Sequence, residues 1–595
     1  MQTEFDAVII GSGAGGAPIA HALTRAGKSV LLLEKGPLMR PQYQDQHGLS
    51  DFKRDELFAT GPEKIIKLPG VANSGAAYYS SHIEPDINDE PHVYRERDGQ
   101  DRATIEGYTA QVVGGGTQLY GGVSLRFSAT DFRLKSFNEG RTDLRNDPNG
   151  DVRREARDWP ISYDELEPYY CIAEKLIGVN GTAANQIKRF SQDNYQPPLP
   201  PNPISHFIEK GMDELGMSRY RTPLAVITQD HEPSGRKMTS DPKTAFVNRY
   251  GDPLGYKSNT WVSLLSPISN QPNFELRANC VVTHLECEGS RVSKVHYRDP
   301  GGRPRAVEGK VVVVACSAIE SIRLLKLSAG LSQAFDNRIN QNNLLGKYFL
   351  THSFGGGEAE MPGRYDKSMT LDSDWASDFG ATEDFLKSNG LWAGGTIYNN
   401  TSDRALPISL ARTHGSQDLD NIWKAFINDP KLTGDQLVAF LDENFGTHLS
   451  ITFMANQVPI KTNRIELHPT VQDKWGRPVA YIIKQWHTHD MALMDAFADI
   501  CGRVLKAAGP VKPPTQGGVY ESGNTYARIA NHILGGVRFG NDSDDSVLDP
   551  SCRAWDFDNL YVTDGSFMPT SGGGNPTLTI QANAFRVGDI LKTRI

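Results

Sequence analysis

The chain opens on a strand, a glycine turn, a helix and a second strand, and few folds accommodate that run. Residues 5–10 (FDAVII) read as a buried strand, and Gly11–Gly16 (GSGAGG) as the turn. Residues 17–26 read as a helix stopped by Gly27, and 29–34 (SVLLLE) as a second buried strand ending on Glu34. G-x-G-x-x-G alone is a weak signal. Here it follows a strand, opens a helix and stands 18 residues before an acidic strand end, which is the setting of a dinucleotide site. Gly11 makes the tight turn, Gly13 lets the backbone approach a pyrophosphate, and Gly16 lets helix and strand pack closely. The helix N-terminus offers N–H groups and positive dipole to the diphosphate, and Glu34 is expected to accept from a ribose hydroxyl.

With 595 residues the chain can build more than one core, and 38% hydrophobic residues is ordinary for a globular protein. A net charge of −9 argues against a nucleic-acid partner, which needs a basic face. No run of 18 apolar residues occurs, so no membrane span is expected. The first apolar run has an acidic flank, Glu4 and Asp6, and does not read as a signal peptide. The six cysteines are scattered, with no C-x-x-C pair. Free thiols, no metal site and a cytoplasmic, reducing compartment are the expectation. His487 and His489 have metal-pair spacing without carboxylate or cysteine support, and surface positions are expected for them.

Further along, residues 41–100 are polar and turn-rich, as a surface wrap or site cover would be. Residues 111–127 hold five glycines in seventeen positions, which points to backbone packed against a ligand. Ser162 with Glu165 forms a capping box before a helix ending near 179, and 194–203 is a proline-rich connector. Hairpin strands are expected over 274–315 and sheet at 450–457, NRIEL and VAYIIKQW. A long helix follows at 491–509, a buried strand at 558–566, and a final helix has Pro576 in its first turn. A nicotinamide enzyme has no use for the second glycine-rich segment or the late NLYVTDGS strand. FAD is therefore expected rather than NAD, with Asp564 near its pyrophosphate or ribityl chain.

Nine pieces, in order, resemble the glucose–methanol–choline (GMC) oxidoreductases over nearly the whole length. They are GSGAGG (11–16), VVGGGTQLYGG (112–122), DWPISYDELEPYY (158–170), VVVACSAIESIRLL (312–325), NNLLGKYFLTH (342–352), NRIEL (463–467), NHILGG (531–536), NLYVTDGS (559–566) and NPTLT (575–579). DWPISYDELEPYY and NPTLT are most similar to the bacterial sugar branch, which holds gluconate, fructose and glucoside-3 dehydrogenase flavoprotein subunits and pyranose and C-glycoside oxidases. The resemblance implies an α/β fold of the p-hydroxybenzoate-hydroxylase-like kind. A Rossmann-like FAD lobe would be assembled from 1–50, 95–135, 255–350 and 510–595, and a sheet-and-helix substrate lobe from 140–250 and 351–505. It places cofactor contacts at Gly114, Gly115, Thr117, Leu119, Val282, Asp564, Pro576 and Thr577. Leu119 stands where some relatives tether FAD through a histidine, so non-covalent FAD is expected, and Tyr120 stands where many carry Asn beside the flavin.

The resemblance also assigns a catalytic pair 43 residues apart, His532 in NHILGG and Asn575 in GGGNPTLT. Oxidising an alcohol removes a hydroxyl proton and a hydride. Histidine, with an ordinary pKa of about 6.5, suits the proton, and an amide N–H suits a developing alkoxide. Asn575 has an alternative role as helix N-cap. Gln457 is either a substrate contact or a sheet residue, and His352 either caps or packs. The implied activity is oxidation of a sugar or glycoside hydroxyl. A non-sugar alcohol, or a redox-silent flavoprotein lyase, stays open beside it. Electrons would go to oxygen, or to a separate acceptor protein or quinone, and related subunits leave the cytoplasm with a signal-bearing partner.

Overall fold

The computed structural model describes residues 3–41, 67–73, 86–96, 98–104, 110–238, 254–365, 373–400, 434–436, 438–439, 446–520 and 532–595. Most of 41–100, and Asn531 of NHILGG, lie outside them. The first strand, Glu4–Ile10, is central in a sheet with parallel neighbours Val30–Leu33 and Pro304–Val314. Phe274–Arg277 and Leu560–Val562 extend the parallel part on either side. These strands read as near-continuous apolar runs because helices cover the parallel sheet. One is Ala17–Arg25, and another is Thr577–Arg594, which packs on it. The strands Val281–Glu288 and Arg291–Arg298 form the expected hairpin leading into Pro304–Val314.

A second sheet of six strands is antiparallel, in the order Thr515–Gly518, Ser353–Glu360, His448–Ala455, Gly395–Asn400, Trp375–Ser377, Tyr220–Arg221. The helix Thr488–Ala508 covers it and builds a separate core with Phe453, Phe497 and Leu505. Three glycines in SFGGGEAE obscure its second strand in sequence. They are needed because the neighbouring backbones crowd in: a Cβ on Gly355 would lie 2.3 Å from the Gly517 carbonyl oxygen.

The capping box at Ser162 forms as read, and the helix runs Tyr163–Ile177. Although expected with the substrate lobe, this helix packs against Thr577–Arg594 and shares the parallel sheet's core. Its anchor is Arg126, fully buried, whose guanidinium donates to Glu174 at 2.7 and 2.6 Å and to Glu167 at 2.9 Å. The strand Arg464–Gln472 pairs with Pro478–Ile483, which in turn pairs with His92–Arg95, and both contact the helix Ala318–Leu331. No helix among the described residues is long and apolar enough to cross a membrane.

Candidate active site

Four parallel strands end at one cleft. Gly11, Glu34, Ala315 and Asp564, each within two residues of a strand end, all line it, where open α/β sheets bind their ligands. It encloses about 1410 Å³ of empty space when its open mouth is included. Gly13, Gly115, Thr117, Val282, Pro576 and Thr577 line it too, so most of the expected cofactor contacts converge. Gly16, Gly114 and Leu119 are not on its wall. Gly16 is a packing residue, since a Cβ there would fall 2.0 Å from the Gly11 oxygen. Gly114 ties the two glycine loops together, its N–H donating to Ser12 Oγ at 2.9 Å. Leu119 ends a short 3-10 turn, Gly115–Gln118, and Tyr120 donates to the Ser258 carbonyl.

The cleft is built for a diphosphate. The N–H groups of Gly13, Ala14 and Gly15 donate to no acceptor among the described residues, and all three residues line the space at the start of Ala17–Arg25. Across the gap a Cβ on Gly115 would stand 3.2 Å from Gly13 Cα, so side chains on these loops would fill the room a ligand needs. Glu34 is buried and already accepts from Ser12 and Gly36; burial raises its pKa against those bonds. Asp564 is held the same way by Ser321 and Ser566, with its pKa raised by burial.

A charged wall was not legible in sequence. Lys35, His92, Glu320, Arg323 and Arg477 line the cleft from separate segments. Burial opposes the charge on Glu320, yet Arg323 and a bond to His92 hold its pKa well below the usual carboxylate range. Beside them Ser317 adopts φ 71°, ψ 148°, a backbone state a serine rarely takes, at the start of Ala318–Leu331.

His532 and Ile533 line the cleft together with Pro576 and Thr577, at the N-terminus of the last helix. Asn575, immediately before them, has its Oδ1 buried without a partner. It is not itself on the cleft wall, and since its Oδ1 accepts from no N–H among the described residues it does not cap the helix. His352 neither caps nor merely packs. It is fully buried, and its Nδ1 lies 3.2 Å from His532 Nδ1. Burial and His532 push its pKa well below the ordinary value. Gln457 is buried as well. Its Oε1 accepts from Thr351 N at 2.7 Å, which leaves Nε2 with no partner, and its N–H donates to Ser571 Oγ in the turn before Asn575. Gln457 does not line the cleft itself.

His487 and His489 are a correction to the surface reading. His487 caps Thr488–Ala508 in a capping box with Asp490, and His489 is fully buried, accepting from Trp392 N. The i, i+2 spacing serves a helix start. The six cysteines are free thiols.

A glycine-lined cradle at the ends of a parallel sheet, with a histidine on the same wall, is the site of a cofactor-dependent oxidoreductase. The chain belongs to the GMC oxidoreductase family: the models described as GMC oxidoreductase match residues 200–352 and 459–584, and a Rossmann-like NAD(P)-binding model matches 9–39. It is 27% identical to a 2-methyl-1,2-propanediol dehydrogenase of Mycolicibacterium austroafricanum, over 99% of this chain and 96% of that one. It is 28% identical to a 6'''-hydroxyparomomycin C oxidase of Streptomyces lividus (99% and 92%), and 24% identical to a gluconate 2-dehydrogenase flavoprotein of Pantoea cypripedii (97% and 92%). Among solved structures, a formate oxidase of Aspergillus oryzae RIB40 superposes with a TM-score of 0.58 at 13% identity, over 100% of this chain and 99% of that one.

Proposed function

We propose that this protein binds FAD non-covalently and oxidises a hydroxyl group of a sugar or glycoside. The observation that carries the reading is the position of His532: a histidine on the wall of a glycine-lined cradle, on the same cleft as Pro576 and Thr577 at the start of the last helix. FAD, when bound, supplies a two-electron acceptor for the hydride leaving the alcohol carbon. The chain's own residues do the rest. Gly13, Ala14 and Gly15 hold the diphosphate through their open N–H groups. His532 takes the hydroxyl proton. Asn575 turns its amide N–H to the developing alkoxide, since an amide's O and N exchange by a half rotation. Gln457 lies off the cleft wall and braces the turn before Asn575, its side-chain oxygen accepting from Thr351 N and its backbone N–H donating to Ser571 Oγ.

The relatives named for an aminoglycoside and for gluconate support a sugar. The diol dehydrogenase supports the second reading, a small non-sugar alcohol. The test is anaerobic. Holoenzyme is mixed in turn with glucose, gluconate, fructose, a β-glucoside, 2-methyl-1,2-propanediol and benzyl alcohol while the flavin band is watched. Bleaching by a sugar supports the proposal, bleaching only by the diol or benzyl alcohol replaces it with the second reading, and no bleaching counts against both. Readmitting air then separates transfer to oxygen from transfer to another acceptor.

A further inference from the structure

His352 and His532 meet Nδ1 to Nδ1 at 3.2 Å, their rings nearly perpendicular. Such a bond holds one proton, which can sit on either ring. If it sits on His352, a neutral His532 carries its own proton on Nε2 and cannot accept another there. If it sits on His532, Nε2 is the unprotonated, basic nitrogen, and a neutral His352 carries its proton on Nε2.

Only the second arrangement lets His532 Nε2 accept a proton, so the reading of His532 as base requires it. His352 is fully buried, and its Nε2 has no hydrogen-bond partner among the described residues, so its ring is held through Nδ1. Burial disfavours an imidazolium at His352, so the charge formed when His532 takes a second proton stays on His532.

Resting on the reading of His532 as base, we propose that His352 is a positioning residue that fixes the tautomer of His532. It accepts from His532 Nδ1–H, leaves Nε2 to receive the substrate's proton, and stabilises the imidazolium formed. The substrate O–H bond breaks, an N–H bond forms at His532 Nε2, and the Nδ1 proton does not move.

The test compares His352→Asn, His352→Gln and His352→Leu as FAD-loaded enzymes, following anaerobic flavin reduction against pH. Asparagine can put its oxygen where Nδ1 stood, whereas glutamine puts its amide at the Nε2 position. Leu and Gln are expected to slow reduction roughly 10- to 100-fold, the scale of one bond to a charged group, and to lower the pH at which the rate rises. Asn is expected to restore most of the rate and the original profile. Wild-type rates in the Leu and Gln variants would overturn the proposal, as would an Asn variant no faster than Gln. Should Leu fail to fold, Asn against Gln decides alone. The base reading fails separately, through a His532→Ala enzyme that is still reduced at the wild-type rate.

Discussion

Gly13 and Gly16 sit three residues apart in one loop, yet replacing each with alanine should break different things. A Cβ on Gly16 falls 2.0 Å from the Gly11 oxygen, so the turn must distort and the fold is weakened with or without cofactor. A Cβ on Gly13 meets no protein atom closer than Gly115 Cα at 4.0 Å, and the space it enters is the cleft. Gly13→Ala should therefore leave the apo-protein's melting temperature unchanged and displace the diphosphate from the open N–H groups of residues 13–15. Losing one charge-assisted bond costs about 1.5–3 kcal/mol, which at about 1.4 kcal/mol per decade is a loss of roughly 10- to 150-fold in FAD affinity. The assay is titration of apo-protein with FAD by fluorescence quenching, beside thermal melts of both apo variants. Unchanged FAD affinity in Gly13→Ala, or an apo melting temperature lowered as far as in Gly16→Ala, would refute the cradle assignment.

Three other outcomes follow from the buried polar groups. Arg126→Met strands Glu167 and Glu174 in the core, and urea unfolding should show a loss of about 3–5 kcal/mol. Burial lowers Lys484 to about 7 from 10.5 against the pull of Asp490; its Nζ has no hydrogen-bond partner among the described residues and sits 3.5 Å from the Trp486 ring centre. Between pH 7 and 10.5 the unfolded chain thus binds a proton that the native state does not, and stability rises with pH. Lys484→Met should remove that slope, raising the melting temperature most near pH 7 and least near pH 10; an equal gain at both would count against the account. Asn575→Ala should slow anaerobic flavin reduction by roughly 10²–10³-fold without releasing FAD, the usual loss for one oxyanion donor, and a wild-type rate would remove it from the site.

The cofactor half was readable because each of its parts is local. A strand, a glycine turn and a helix signal themselves within thirty residues, and the capping box at Ser162 needs only four. The charged wall could not be read this way. Lys35, His92, Glu320, Arg323 and Arg477 each look like ordinary surface charge until the sheet brings their segments to one cleft. His352 ends an apolar run, and only its contact with a residue 180 positions away gives it a role. The glycine strands of the second sheet lack the β-branched residues that mark a strand, since their function is close approach of backbones. Asn575 had two roles open in sequence, and in the structure its Oδ1 accepts no cap bond from the helix that follows.

The central claim is that His532 removes the substrate proton, and the most direct measurement is flavin reduction in His532→Ala. Purified under the same conditions as wild type, the variant should carry its full complement of FAD. Mixed anaerobically with a substrate that bleaches the parent enzyme, it should be reduced roughly 10²–10⁴-fold more slowly, the usual worth of a positioned base. Bleaching at the wild-type rate would contradict the assignment and move the base elsewhere in the cleft.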